Sequence, residues 1–309
     1  MTCVKILART KQIMELFVWD GDFGLVSLHC DCIRVIAYAI LTNAPVKVVF
    51  CRNPCYDYPI LRTNSEKLVN YGEIVRYLQN ELYILDAELD EKQESESYVF
   101  LNMLTLHLKP VLEYLHWLND TNYETFMRMW YAKVIPIPLL NCVYPARRRR
   151  SAQEFFESLY PHLDRGAIEV DLLKKAQDCF FSLSTRLEKK PYFHGSSPTT
   201  IDTAIFAYLA LIAEVPLPSN PFANMIKVTP TLCQFIRRFK SDVFPGVEYD
   251  SKYLNRVSCS IKENEDEDLS TSLTAKIVIV GVTLCGMFVY AVCKNLVDLG
   301  RLNSFVLIG

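Results

Sequence analysis

The residues in this chain best suited to chemistry stand close together at His29-Cys30-Asp31-Cys32, an imidazole and two thiols around a carboxylate. Such a set invites a metal ion, and a thiol there could also serve as a nucleophile. On a helix, however, residues two positions apart point about 200° away from each other, so Cys30 and Cys32 cannot share one ion. Cys51 and Cys55 flank Arg52-Asn53-Pro54 with no histidine nearby, and a metal is not expected there either. The remaining histidines, at 107, 116, 162 and 194, are dispersed. No glycine-rich phosphate loop and no nucleophile elbow is present. The expectation is a protein with no catalytic residue, no resident metal and no cofactor.

A second chemical feature is electrostatic. Arg147, Arg148, Arg149 and Arg150 form an unbroken basic run. Read plainly, it is a solvated loop between helices; as a candidate interaction patch, it would dock an acidic partner or anionic lipid headgroups. The chain as a whole carries a net charge of −2 over 309 residues, which gives no general attraction to nucleic acid. Its 11 cysteines are odd in number and scattered. No apolar run of secretory type opens the sequence, so reduced and mostly buried thiols are expected.

The elements that would position these groups follow from periodicity. Glu15 to Trp19 reads as a strand, the turn residues Asp20 to Gly24 follow, and Leu28, Ile33, Ile36, Ala37 and Ile40 keep a helical period with Ser27 as N-cap. Val46 to Cys51 is β-branched, completing a βαβ unit with a parallel pair. Pro59-Ile60-Leu61 offers a third strand, Arg62 to Ser65 a turn and Glu66 to Val69 an antiparallel fourth; a helix from about Tyr71 buries Ile74, Val75, Leu78 and Leu82. βαβ followed by ββα is the thioredoxin-like order, in which a proline directly before the third strand is commonly cis. The stretch from Leu85 to Ser97 is acidic and reads as a linker or an exposed helix end.

Beyond Tyr98 the pattern is helical. Val99, Met103, Leu106, Leu112, Leu115 and Leu118 mark one helix, Tyr123 to Val134 another, and Phe155 to Tyr160 and Val170 to Leu187 two more. Pro136 with Pro138 is expected to break this half once, and Pro145 with the arginines again. Thr199, with Asp202 three positions on, has the spacing of an N-capping box before the apolar run Thr203 to Val215. Leu217 to Pro221 reads as a turn, and Pro230 opens the last helix, Leu232 to Phe239.

Past Tyr249 the chain turns polar and then hydrocarbon-soluble. Ile277 to Cys293 is uncharged over 17 residues and bracketed by Lys276 and Lys294. Ile277, Val280, Leu284, Phe288 and Val292 are typical of it, and a helix of this length spans roughly 25 Å, enough for a thin bilayer if the lysines snorkel. Its nine Ile, Val, Leu and Phe residues contribute about −3 to −5 kcal/mol to insertion before its glycines and threonine subtract. With only Asn295 to Gly309 following, the expectation is a tail anchor inserted after translation, leaving the preceding domain in the cytosol.

A thioredoxin-like half, a helical half and the Gly195-x2-Pro198-Thr199-x2-Asp202 box together resemble the glutathione transferase fold. More narrowly, MELFVWDGDFGL from Met14, Ala44-Pro-Val-Lys47, Pro59 to Thr63, Tyr71 to Leu78 and Tyr192 to Ile212 are similar to the metaxins of the mitochondrial outer membrane. The resemblance implies an α+β protein: a thioredoxin-like domain over 14–85, an all-helical glutathione-transferase-like domain over 98–249, an acidic tether over 250–275, one transmembrane helix over 276–294 and a short tail over 295–309. It also implies a non-enzymatic subunit exposed to the cytosol that works with a second metaxin and with the outer-membrane machinery inserting β-barrel proteins. Adaptors that couple mitochondria to motors or to membrane contacts are the alternative within the family, and a membrane-anchored glutathione-dependent transferase is the alternative outside it. A transferase would need Ser27, Cys30 or Cys32 to activate the thiol of glutathione, and an acid or Gln followed by Ser to hold its γ-glutamyl end. Asn70 and Tyr71 stand in those last two places.

Overall fold

The computed structural model describes residues 14–136, 140–162, 164–188 and 190–245. Strand β1 (Met14–Trp19) lies parallel to β2 (Val46–Cys51), from Met14 beside Val46 to Trp19 beside Cys51, and helix α1 (Cys30–Leu41) makes the crossover. Strand β3 (Ile60–Arg62) runs antiparallel to β1 with Leu16 opposite Leu61, and β4 (Lys67–Val69) closes the order β2-β1-β3-β4. The Tyr58-Pro59 bond is cis, as its place before β3 suggested. Helix α2 (Tyr71–Asn80) buries Ile74, Val75 and Leu78, whereas Leu82 lies beyond its end and is exposed.

Helix α1 starts two residues later than the expected cap. His29 is its N-cap residue, and Ser27 serves two residues earlier, its Oγ accepting the His29 N–H at 3.1 Å. Ile33, Ile36 and Ala37 are buried, but Ile40 is 44% exposed. In that turn Tyr38 takes the inward place, its hydroxyl donating to the Tyr83 carbonyl at 2.8 Å.

Helix α3 (Glu91–Glu113) absorbs the second half of the acidic stretch. Asp90 Oδ1 accepts the Gln93 N–H at 2.7 Å while Gln93 Oε1 accepts that of Asp90 at 3.1 Å, a reciprocal box that starts the helix. Its buried face is Leu104, Leu108, Val111 and Leu112; Val99 and Leu106 are 62% and 68% exposed, contrary to the expected stripe. Apolar residues stand on more than one side of α3, so periodicity by itself does not choose the face that packs. After Pro110, which lacks an N–H, the helix passes into a π-helical turn, Tyr114–Leu118. Helix α4 (Asp120–Asn122), a second π-helical turn (Tyr123–Met127) and α5 (Arg128–Val134) follow.

Helix α6 (Leu140–Leu159) corrects two expectations at once. Pro145 does not break the helix but lies buried inside it, and the four arginines sit on the helix rather than in a loop. Pro145, the sixth residue of the helix, forfeits one bond of the ladder, and the ring of Tyr144, stacked 5.6 Å from that of Trp19, fixes this turn against β1. Helices α7 (Arg165–Leu187), α8 (Thr200–Glu214), α9 (Pro221–Lys227) and α10 (Pro230–Val243) complete the described chain. Helix α9 was not expected from the sequence, which read Leu217 to Pro221 as a turn only; its signal is the Asn-Pro start, where Asn220 Oδ1 accepts the Ala223 N–H at 3.0 Å and Pro221 occupies the first helical position. Helix α8 is the axis of the core, every residue from Ile201 to Ile212 being buried.

Among the described residues no helix is long and apolar enough to cross a membrane. Pro138, the tether, the segment from Lys276 to Lys294 and the tail after it lie outside the described residues.

Candidate functional site

The place where a thioredoxin-like fold meets its helical partner is the end of β1, the loop into α1 and the start of α2. Here the loop is fastened down. Asp20 is buried and paired with Arg52 Nε at 2.6 Å, burial raising its carboxyl pKa and Arg52 opposing that rise. Asp22 Oδ2 accepts the indole N–H of Trp130 at 2.8 Å, and the ring of Phe23 lies 5.4 Å from that of Phe126, so α5 and the π-helical turn before it hold the loop. A Cβ at Gly21 would fall 2.2 Å from the Leu25 carbonyl oxygen, a contact that only glycine avoids.

Above the strand ends stands an aromatic wall. Trp19 stacks on Tyr144 and has Tyr131 at 5.8 Å and Tyr58, the residue before the cis bond, at 5.9 Å. Tyr131 in turn stacks on Trp117 at 5.4 Å. These rings pack on one another over the strand ends, and Trp117, Tyr131 and Tyr144 also line a cleft of about 260 Å³ beside the start of α1.

The start of α2 is occupied as well. Asn70, at φ 84°, gives no side-chain cap, and the Arg34 guanidinium lies 3.7 Å over the Tyr71 ring while pairing with Asp31 at 3.0 Å. Burial works against the charge on Arg34, but Tyr71, Cys30 and Asp31 outweigh it and hold its pKa above the ordinary value. A ring and a guanidinium therefore stand where a small hydroxyl and a ligand carboxylate would be needed.

The two thiols are poor nucleophiles. Burial pushes Cys32 up to about 12 and Cys30 higher still, so both stay protonated at neutral pH. Cys32 is fully buried, with Sγ 3.7 Å from His29 Nδ1. Ser27 is equally buried. Among the described residues no group of three His, Cys, Asp or Glu side chains is placed to hold a metal ion.

The arginine run divides in two. Arg148 reaches inward, 3.5 Å from Glu113 and 5.5 Å over the Trp117 ring. Arg149 pairs with Asp120 and, at 3.1 Å, with Glu124, and lies over Tyr123. Arg147 is exposed, and Arg150 is exposed with a partner one turn on, Glu154 at 3.1 Å. Helical spacing thus turns a uniform run into two internal ties and two outward cations.

The Thr199 and Asp202 box forms as the spacing predicted and does more than cap. Asp202 Oδ2 accepts from the Thr199 N–H at 2.8 Å and its hydroxyl at 2.7 Å, and Oδ1 accepts from the Phe193 N–H at 2.8 Å. The carboxylate is fully buried, which raises its pKa to about 6 against the pull of these donors.

Comparison with known proteins agrees with this architecture. Residues 32–149 match a family profile described as an outer mitochondrial membrane transport complex protein, and residues 176–239 match a glutathione S-transferase C-terminal domain. Two glutathione S-transferases of Ceriporiopsis subvermispora, each solved with glutathione, share the fold at TM-scores of 0.50 and 0.51, with 15% and 12% identity over 76% and 75% of this chain and 99% of each of theirs. Metaxin-1 of Bos taurus is 31% identical over 94% of this chain and 93% of its own length; the metaxin-1 homolog of Drosophila melanogaster is 30% identical over 85% and 84%. Metaxin-3 of Xenopus laevis is 29% identical over 75% and 77%. Identity at this level, sustained almost from end to end of both chains, means that this chain belongs to the metaxin family.

Proposed function

We propose that this protein is a non-enzymatic subunit of a mitochondrial outer-membrane complex, acting in protein import and the insertion of β-barrel proteins together with a second metaxin. The observation that carries the reading is the site itself: the Arg34 guanidinium stacked on the Tyr71 ring takes up the start of α2, Trp19 is stacked on Tyr144, and burial holds both nearby thiols protonated. The match to an outer-membrane transport complex profile supplies the cellular setting. The uncharged segment from Ile277 to Cys293 is the proposed tail anchor, with Lys276 and Lys294 at the two headgroup layers, and the body faces the cytosol. The outward pair Arg147 and Arg150 is the surface we assign to an acidic partner or to anionic headgroups.

The full-length chain, tagged and isolated in mild detergent, tests the reading. Co-purification of a second metaxin and a β-barrel assembly subunit is expected; recovery of motor adaptors in their place would overturn the import role. The same preparation passed over immobilised glutathione should run through. Retention that free glutathione displaces would overturn the non-enzymatic assignment. Removing residues 277–309 should release the body from mitochondria, and continued sedimentation with the outer membrane would show that a partner, not the tail, holds it.

A further inference from the structure

The two edges of the sheet are finished differently. Strand β4 is three residues long, and Glu73 Oε2 reaches back from α2 to accept the Val69 N–H at 3.2 Å. Strand β2 is six residues long and, among the described strands, has a neighbour on one side only, β1. An unpaired edge presents a row of backbone donors and acceptors to any extended chain that can meet it.

The hydrogen-bond phase of the β2 edge follows from the ends of its ladder with β1. The Met14 N–H donates to the Pro45 carbonyl at 3.0 Å and the Asp20 N–H to that of Cys51 at 3.1 Å, in a register that sets Met14, Leu16 and Val18 beside Val46, Val48 and Phe50. In a parallel pair this register commits the backbone groups of Lys47, Val49 and Cys51 to β1 and turns those of Val46, Val48 and Phe50 outward. The Val46 N–H is met by the Ala44 carbonyl at 2.8 Å; for the other outward groups the described residues supply no partner. The side chains of Val46, Val48 and Phe50 lie half-buried against the core. Lys47 and Val49 stand on the opposite face of the strand, Lys47 exposed and 3.7 Å from Glu15.

We propose that this edge is completed by β2 of a second copy of the chain, running antiparallel about a two-fold axis at Val48, so that the two sheets become one. Centred there, the pairing meets every outward residue: Val46 lies beside Phe50 of the second copy, Phe50 beside its Val46, and Val48 beside its own equivalent. A β-branched residue beside an aromatic is a favourable cross-strand pair. Centred on Lys47 instead, the pairing would leave Phe50 unmet and set the two lysines directly opposite; centred on Val49, it would leave Val46 unmet. In the register at Val48, Lys47 faces Val49 of the second copy. The one charge on the strand therefore selects the register without barring it. Because the match is of the strand with itself, a second copy fits the edge better than an unrelated extended segment. The inference is independent of the import role.

The test is sedimentation velocity of the full-length chain in mild detergent over a concentration series. A reversible equilibrium between monomer and dimer is expected. Val49→Glu faces Lys47 of the second copy on both sides of the axis and should tighten the dimer about fivefold; Val49→Lys should weaken it about tenfold or more, and adding Lys47→Glu should restore it. The Val48 N–H points away from β1, so Val48→Pro should keep the fold, read by circular dichroism, and abolish the dimer. Should that variant unfold, the opposite signs of the two Val49 variants decide. A chain that stays monomeric, a dimer indifferent to both Val49 variants, or Val49 variants that alter capture of another protein but not self-association would each overturn the proposal.

Discussion

Two helix starts in this molecule face similar demands and meet them differently. At α8, Thr199 and Asp202 satisfy one another and the Phe193 N–H, and Asp86 Oδ1 accepts the Thr200 N–H at 2.8 Å, so the first turn is closed by side-chain hydrogen bonds. At α2, Asn70 provides no cap and Tyr71 turns its ring under Arg34. The first start is finished by hydrogen bonds, the second by stacking. The contrast separates two tasks: the cap holds the central helix of the core, whereas the corner at α2 is packed by a ring and a guanidinium.

The sharpest way to break the comparison is Asp202→Ala. It strands three buried donors and should cost about 3–5 kcal/mol, read as a shift in the urea midpoint of the full-length chain. A loss under about 1 kcal/mol would mean the cap is ornamental.

The same carboxylate predicts a pH signature. Its folded pKa of about 6 stands above the ordinary 3.8, so the folded state binds the proton more tightly. The stabilisation is complete below about pH 4 and is lost as pH rises through about 6, a change of about 3 kcal/mol. Measured as the difference between the parent and Asp202→Asn, which cancels the other titrating groups, the deficit of the variant should be larger at pH 4 than at pH 7. A deficit that is flat or grows with pH would contradict the assignment.

At the other corner, Arg34→Met removes the stack on Tyr71 and leaves Asp31 open to solvent; about 1–2 kcal/mol of thermal stability should go. Glutathione should still fail to bind, because the Tyr71 ring remains. The smallest effect belongs to Arg150→Ala, where an exposed one-turn pair is lost: under about 0.5 kcal/mol. Partner capture, not stability, is the readout on which Arg147→Glu with Arg150→Glu should register.

Much of the fold was legible beforehand, and the exceptions have physical causes. Strands β1 to β4, the cis proline and the α8 box were all visible because short alternating runs, a proline beside a strand and a cap three positions from its partner are local signals. The face of α3 was misjudged because Val99 and Leu106 are as apolar as Leu104 and Leu108, and only the neighbours decide which pair is covered. Pro145 misled in the same way: a helix breaker in isolation, it is tolerated where Tyr144 is held on Trp19.

What the residues alone determined is the set of choices made within a few positions of the chain: the four strands, where α8 begins, and that Ile277 to Cys293 carries no charge. What only the tertiary structure decided is whether each reactive group had a task. Burial took the thiols of Cys30 and Cys32 out of reach of ionisation, and helix α6 paired two of four identical arginines with Glu113, Asp120 and Glu124. Desolvation and pairing depend on atoms far away in sequence, so a list of residue types contains the candidates for chemistry but not the surroundings that silence them.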